Sequence, residues 1–314
     1  MSKLIFLKPV FKERLWGGQK LKQHFNYDIP NKNIGECWAI SAHRNGACPI
    51  INEAFKGETL LSLYEKNKNE LFASDPSPVF PLLIKILDAN TQLSVQVHPK
   101  DDYALKHEND LGKTECWYVI DAKDNANIIY GHTAHNKKEF LNKVKTNDLS
   151  LWHYQNIKPN DFIYVPATTV HAINEGTFIY EVQESSDTTY RIYDYDRKDD
   201  QGNTRELHLD KAVEVIDFPA KTIDQKTTIN KTKDYTHYHY VTNQYFNVNR
   251  YSVNDQLTFN FDTYALVSIL NGEGHILNEF VKKGDHFIVP STYKNQDIKV
   301  EGKLEMMVTF RTFK

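Results

Sequence analysis

Short apolar runs separated by turn residues recur along the chain. ECWAIS at 36–41, LSVQVH at 93–98, CWYVI at 116–120, ANIIYG at 126–131, FIYVPA at 162–167 and FIYEVQE at 178–184 are rich in β-branched and aromatic residues, and their length is that of strands rather than helices. Helical spacing is confined to ETLLSLYEKNKNELF at 58–72, NKKEFLNKVKTN at 136–147 and LDKAVEVI at 209–216. Many short strands with few helices predict a mainly β fold, a sandwich or barrel with the helices at its periphery. From Pro219 to about Tyr235 the chain turns polar and rich in lysine and threonine, which reads as a surface connection. A second strand-rich block follows.

An internal echo sharpens this division. NDFIYVPATTVHAI from Asn160 is matched by GDHFIVPSTYKNQDI from Gly284; each reads as a turn, an apolar strand and a Val-Pro stop. Aligning the Val-Pro pairs sets Asn295 opposite His171. The pattern predicts two related β domains, residues 1–220 and 236–314, with metal chemistry only in the first.

The chain of 314 residues is long for one compact core, which agrees with two domains. Charged residues make up 25% and the formal net charge is −3. That balance lacks the basic excess of a general nucleic-acid binder, so an anionic ligand has to be met by locally placed lysines and arginines. Cys37, Cys48 and Cys116 are too few and too unevenly placed for a disulfide framework and suit a reducing compartment. The opening MSKLIFLKPVFK breaks its apolar run at Lys8 and Pro9, too early for a signal peptide, and no segment has the length of a membrane span. The expectation is a cytoplasmic protein with no membrane partner.

Three stretches carry the chemistry: QVHP at 96–99, GKTECW at 112–117 and VPATTVH at 165–171. Gln96 and His98 lie two residues apart in a strand-like run, so period-two alternation turns both to one face. Glu115 opens a second run, and His171 follows a third. Imidazoles and a carboxylate converging from three strands suit a borderline divalent metal such as zinc, which would also satisfy polar groups that are costly to bury alone. Lys113 shares the face of Glu115, and a lysine aimed into a metal-lined cavity calls for an anion such as a sugar phosphate. Ser94 shares the face of Gln96 and His98.

Other motifs carry less. His237 and His239 in YTHYHY alternate like a metal pair but have no accompanying carboxylate. His132 and His135 fall at a loop-to-helix junction. The glycines of LWGG lack the strand-to-helix context of a phosphate loop, and the acidic residues of YRIYDYDR oppose a nucleic-acid platform.

Taken together, LWGG at 15–18, GECWAIS at 35–41, LSVQVHPKDDYA at 93–104, GKTECWYVI at 112–120, VPATTVHAI at 165–173 and QESSDTTYRIYDYDR at 183–197 resemble the type I mannose-6-phosphate isomerases, in the family's order and over most of the first two thirds of the chain. The resemblance implies a cupin, a jelly-roll β-sandwich, in the short bacterial form, with a degenerate second cupin in the C-terminal third. It implies that Gln96, His98, Glu115 and His171 are the ligands of one zinc ion, Gln96 through a neutral amide that would otherwise hydrogen-bond substrate or a water. It implies substrate contacts from Lys113, Ser94 and Lys85 near the phosphate, with Glu36 and Arg197 at further pocket positions. Glu181 is the expected base and Arg191 the expected stabiliser of negative charge.

The implied reaction interconverts mannose 6-phosphate and fructose 6-phosphate through an enediol, which requires a base between C2 and C1 and a partner for the developing charge. Two other classes share parts of this pattern. Two histidines and a carboxylate also suit a non-haem iron oxygenase, which has no use for Lys113 or Arg191. A non-catalytic sugar-phosphate-binding cupin would bind without turnover.

Overall fold

The computed structural model describes residues 3–30, 33–199, 201–221 and 223–313. Its framework is three antiparallel sheets. A six-stranded sheet runs in the order Val10–Gly18, Ile34–Ile40, Leu82–Ala89, Thr177–Glu184, Glu115–Ala122, Phe162–Val165, and a five-stranded sheet in the order Tyr190–Tyr193, Val95–Val97, His171–Ile173, Asn127–His132, Trp152–Asn156. The third sheet has nine strands and is drawn mainly from the C-terminal block.

Strand pleating explains how the layers stack. Successive side chains of Leu82–Ala89 and Thr177–Glu184 point to opposite faces, and both strands are buried throughout. Leu82, Ile84 and Ile86, with Phe178, Tyr180 and Val182, join a core shared with Tyr240, Leu266 and Ile288 of the third sheet. Leu87 and Ile179 turn the other way and pack with Trp117, Val119, Leu93 and Ile173 between the six- and five-stranded sheets. The same alternation commits Lys85 and Glu181 to that interior, where a charge is tolerated only with a partner.

The helices fall where the spacing predicts them, at Leu60–Leu71, Lys137–Lys145 and Leu209–Val215. Thr59 caps the first in a capping box: its backbone N–H donates to Ser62 Oγ at 3.0 Å and its hydroxyl accepts from Ser62 N at 3.3 Å. Phe140 and Ala212 of the other two pack with Val95, Val97 and Ile192 of the five-stranded sheet. Two further short helices, Lys20–Phe25 and Asp101–His107, lie outside the predicted segments because they bury too few residues to show a helical period, Leu21 and Phe25 in the first and Ala104 in the second. No helix among the described residues is long and apolar enough to cross a membrane.

The polar stretch read as a connection contains a strand. Thr228–Lys231 forms the edge of the nine-stranded sheet beside Tyr235–Thr242. All four of its residues are exposed, so no buried face imposed an apolar alternation on it. Near the other end of the chain, Ile5–Leu7 pairs with His286–Val289, placing an N-terminal strand in the C-terminal sheet.

The echo between 160 and 284 has a structural counterpart. Asn160 and Gly284 both take left-handed backbone, φ 75° and 90°, where glycine and asparagine are favoured. In each turn the next aspartate accepts from a backbone N–H three residues earlier, Asp161 from Lys158 at 2.9 Å and Asp285 from Lys282 at 2.8 Å.

A buried ion pair ties the layers together. Asp75, 1% exposed, accepts from Tyr264 Oη at 2.8 Å and from Arg311 Nε at 3.1 Å. Asp75→Ala leaves the Arg311 guanidinium buried without its counterion, and such losses typically cost about 3–5 kcal/mol. Urea unfolding of the variant should give a clearly lower midpoint; a midpoint within error of wild type would show the pair to be dispensable.

Candidate active site

Strand register builds the site. Across the six-stranded sheet Trp38 is opposite Lys85, Lys85 opposite Glu181, and Glu181 opposite Trp117. These four therefore form one row, with Glu115 two residues from Trp117 on the same face. Across the five-stranded sheet Arg191 is opposite Gln96, and Gln96 opposite His171. The rows meet between the sheets at a cleft of about 470 Å³, whose lining includes Lys85, Gln96, Lys113, Glu181 and Arg191.

His98, Glu115 and His171 are each 1% exposed, and one potential ligand atom from each lies within 4.8 Å of the others. Glu115 Oε1 is 3.4 Å from His171 Nε2, and Oε2 is 3.6 Å from His98 Nε2. The outer nitrogens are committed: His98 Nδ1 donates to Thr188 O at 3.0 Å and His171 Nδ1 to Thr169 O at 2.9 Å. That fixes the neutral tautomer in which both Nε2 lone pairs turn inward, the arrangement in which a second partner orients a metal-binding histidine. Burial pushes the His171 imidazole down to about 4. Burial, reinforced by the Lys113 charge, also pushes His98 well below the usual histidine range. Both rings are therefore available as neutral ligands, and Glu115 Oε2 receives no well-angled hydrogen bond. The donor set fits a divalent cation.

Gln96 touches this group, its side-chain nitrogen 3.4 Å from His171 Nε2; exchanging the amide's ends would turn its oxygen inward instead. Lys113 Nζ lies 2.9 Å from both Glu115 Oε2 and His98 Nε2. Burial opposes the Lys113 charge, but the Glu115 and Glu181 carboxylates outweigh it and raise its pKa. Lys85 Nζ is 3.5 Å from Glu181 Oε1 and 5.4 Å from the centre of the Trp38 ring. The Trp117 indole donates to Glu181 Oε2 at 3.0 Å and to Glu115 Oε1 at 3.2 Å, coupling the candidate base to the candidate ligand. Burial, then the Glu115 charge, raises the Glu181 pKa against the pull of Lys85 and Lys113.

Ser94 and Glu36 also line the cleft. Glu36 accepts from the Trp38 indole at 2.8 Å and from Arg14 at 2.9 Å. Burial raises its pKa, and the Lys85 and Arg14 charges more than offset this, so it falls below the usual carboxylate value. Arg197 differs from the expectation: its side chain turns to the carbonyl oxygen of Gln92 and to Asp194, and it is not among the residues lining the cleft. Sequence reasoning missed Arg14, Asp187 and Arg205, all of which line it. Arg205 comes from a loop after the last strand of the five-stranded sheet, where no periodicity marks it. His237 and His239 are held by Asn249 and Thr242 at 2.8 Å each.

A β-sandwich enclosing two histidines and a carboxylate, with buried lysines and a second carboxylate beside them, defines a metal-binding cupin built for acid–base chemistry on an anionic ligand. Comparison with known proteins makes the assignment specific. The description "Phosphomannose isomerase type I, catalytic domain" matches residues 4–126, and "Mannose-6-phosphate isomerase, cupin domain" matches residues 236–311. The chain is 46% identical to the probable mannose-6-phosphate isomerase GmuF of Bacillus subtilis, over 98% of this chain and 99% of the relative. It is 42% identical to the mannose-6-phosphate isomerase of Streptococcus mutans, over 98% of each. A crystal structure of mannose 6-phosphate isomerase from Bacillus subtilis superposes with a TM-score of 0.94 at 41% identity, covering 98% of this chain and all of that one. The chain belongs to the type I mannose-6-phosphate isomerase family.

Proposed function

We propose that the protein is a zinc-dependent aldose–ketose isomerase interconverting mannose 6-phosphate and fructose 6-phosphate, with one zinc ion per chain held by His98, Glu115, His171 and Gln96. The observation that carries this reading is the buried Glu181 carboxylate, hydrogen-bonded through Trp117 to the group holding the metal and lining a cleft with Lys85, Lys113 and Arg191. Two imidazoles, a carboxylate and an amide suit zinc, which supplies Lewis-acid polarisation of a sugar oxygen.

The remaining chemistry belongs to the protein's own side chains. Glu181, desolvated and with a raised pKa, takes the proton from C2 of the open-chain aldose and returns it at C1 while the hydroxyl proton of O2 passes to O1; the reverse path exchanges the roles of the two carbons. Lys85 beside it keeps the carboxylate available in its ionised form. Arg191 stays charged through the cycle and stabilises the enediolate oxygen. Lys113, Ser94, Glu36 and Lys85 hold the substrate along the cleft, and Arg197 contributes from behind the wall by fixing Asp194.

Arg191→Ala should retain the metal and lose on the order of 100-fold in kcat, the scale of losing one charge-stabilising donor. An unchanged kcat would remove Arg191 from that role. The function itself is tested by elemental analysis of the purified protein together with oxygen uptake. Stoichiometric zinc with no oxygen consumption supports the isomerase, whereas iron with substrate-dependent oxygen uptake points to an oxygenase.

A further inference from the structure

The positive charges around the cleft are unequally compensated. On the six-stranded side each lysine faces a carboxylate, Lys113 with Glu115 at 2.9 Å and Lys85 with Glu181 at 3.5 Å. On the opposite side Arg197 and Arg205 share one aspartate, and Arg191 is held by none. Asp194, 5% exposed, accepts from Arg205 Nε at 2.8 Å and Nη2 at 2.5 Å, and from Arg197 Nη2 at 2.5 Å. Arg191 has no carboxylate within ion-pair distance among the described residues. Its Nη1 donates to the carbonyl oxygen of Glu206 at 2.9 Å, and its Nε is buried with no partner.

Asp194 is the one buried carboxylate among these three guanidiniums, and the exposed Glu206 is the other carboxylate acting on Arg191, so this wall is net positive. Arg191 and Arg205 both line the cleft and repel each other, since the Arg205 charge adds to burial in disfavouring the charged form of Arg191. The other carboxylates lining the cleft have partners of their own: Glu36 has Arg14 and Trp38, Glu181 has Lys85 and Trp117, Asp187 has Asn45 at 3.0 Å, and Glu13 is likewise engaged. What this wall lacks is an anion for the unpartnered Arg191 Nε and the free edge of Arg205.

Arg205 is also pre-set to receive one. Asp194 grips one edge of its guanidinium through two bonds, and among the described residues Nη1 has no hydrogen bond. The loop behind it is tied, with Asp199 accepting from the backbone N–H groups of Gln201 and Asn203 at 2.9 and 2.8 Å, and Lys198 bridging Thr204. A guanidinium held on one edge and free on the other presents a fixed donor to a phosphate with little further loss of freedom.

We infer that Arg205 is a specificity-determining residue of this enzyme: its free edge, oriented by Asp194, binds the phosphate ester of the substrate at the arginine-lined wall of the cleft. The inference rests on the isomerase reading for the identity of the substrate, but the anion site can be tested without turnover. It divides the cleft, with the carbons that exchange a proton near Glu181 and the phosphate at the arginine wall rather than beside Lys85 and Lys113, which pair with Glu181 and Glu115 and would face the sugar hydroxyls.

The test compares wild type with Arg205→Ala and Arg205→Lys, measuring inorganic phosphate binding by calorimetry and steady-state kinetics with mannose 6-phosphate. Removing one charge-assisted contact should weaken phosphate binding and raise KM by about 10- to 100-fold, with a much smaller change in kcat and a wild-type metal content. The lysine variant should recover part of the affinity. Asp194 keeps Arg197 as partner in both, so neither leaves a buried carboxylate alone. Should the alanine variant not fold, the lysine variant alone decides: it must bind phosphate more weakly than wild type, because a point charge cannot reproduce the fixed edge. Phosphate affinity and KM equal to wild type in the folded variants would overturn the assignment, as would a fall in kcat with both unchanged. Wild-type protein that binds phosphate through Arg205 yet fails to turn over mannose 6-phosphate would overturn the isomerase reading and leave the anion site standing.

Discussion

His98→Ala should lose its metal and its isomerase activity together. His98 is one of two imidazoles whose outer nitrogens are tied to backbone carbonyls and whose inner nitrogens face Glu115. Removing it leaves one histidine and one carboxylate as strong donors, too few for a stable protein zinc site. Losing a partner behind a ligand commonly costs about 10- to 100-fold in metal affinity, and losing the ligand itself should cost more. His171→Ala should behave the same way. Stoichiometric metal in dialysed samples of both variants would remove the two histidines as ligands. Because both rings are buried as neutral bases, neither substitution strands a charge, so the variants should fold and the loss should be read at the site.

Glu181→Gln should retain the metal and lose about 10²- to 10⁴-fold in kcat, the usual contribution of a positioned general base. The amide preserves the shape of the side chain and can still accept from Trp117, so packing is kept while the ability to take a proton is lost. Its burial and the neighbouring Glu115 are what raise the Glu181 pKa and make it a stronger base than an exposed carboxylate. A kcat within a few-fold of wild type would move the base elsewhere, with Asp187, the lining carboxylate nearest it in sequence, the next residue to change.

Much of the site was legible because strands report their own facing. Period-two spacing alone placed Gln96 with His98 and Lys113 with Glu115, since a one-residue step reverses the face. Sequence spacing could not say that Lys85, Glu181 and Trp117 stand side by side, because that depends on register between strands far apart in the chain. The cleft wall was still less accessible. Arg14 and Arg205 lie in segments without apolar alternation and reach the cleft only through tertiary packing, and the Asp194 grip on two arginines is invisible to a local pattern. Arg197 is carried by the motif, but the direction its side chain takes, to Asp194 and the Gln92 carbonyl oxygen, is set by tertiary packing. Strand Thr228–Lys231 escaped notice because an exposed edge needs no apolar face, and the pairing of Ile5–Leu7 with His286–Val289 joins two segments that nothing local connects.

Isomerisation of mannose 6-phosphate in this cleft should depend on a metal held by the buried group of His98, Glu115 and His171. The most direct measurement is a coupled assay of mannose 6-phosphate and fructose 6-phosphate interconversion on the purified protein, on the chelated protein and after zinc is restored. Turnover should disappear with chelation and return with zinc. Turnover that persists undiminished in fully metal-stripped protein, or no turnover in folded, zinc-loaded protein, would contradict it.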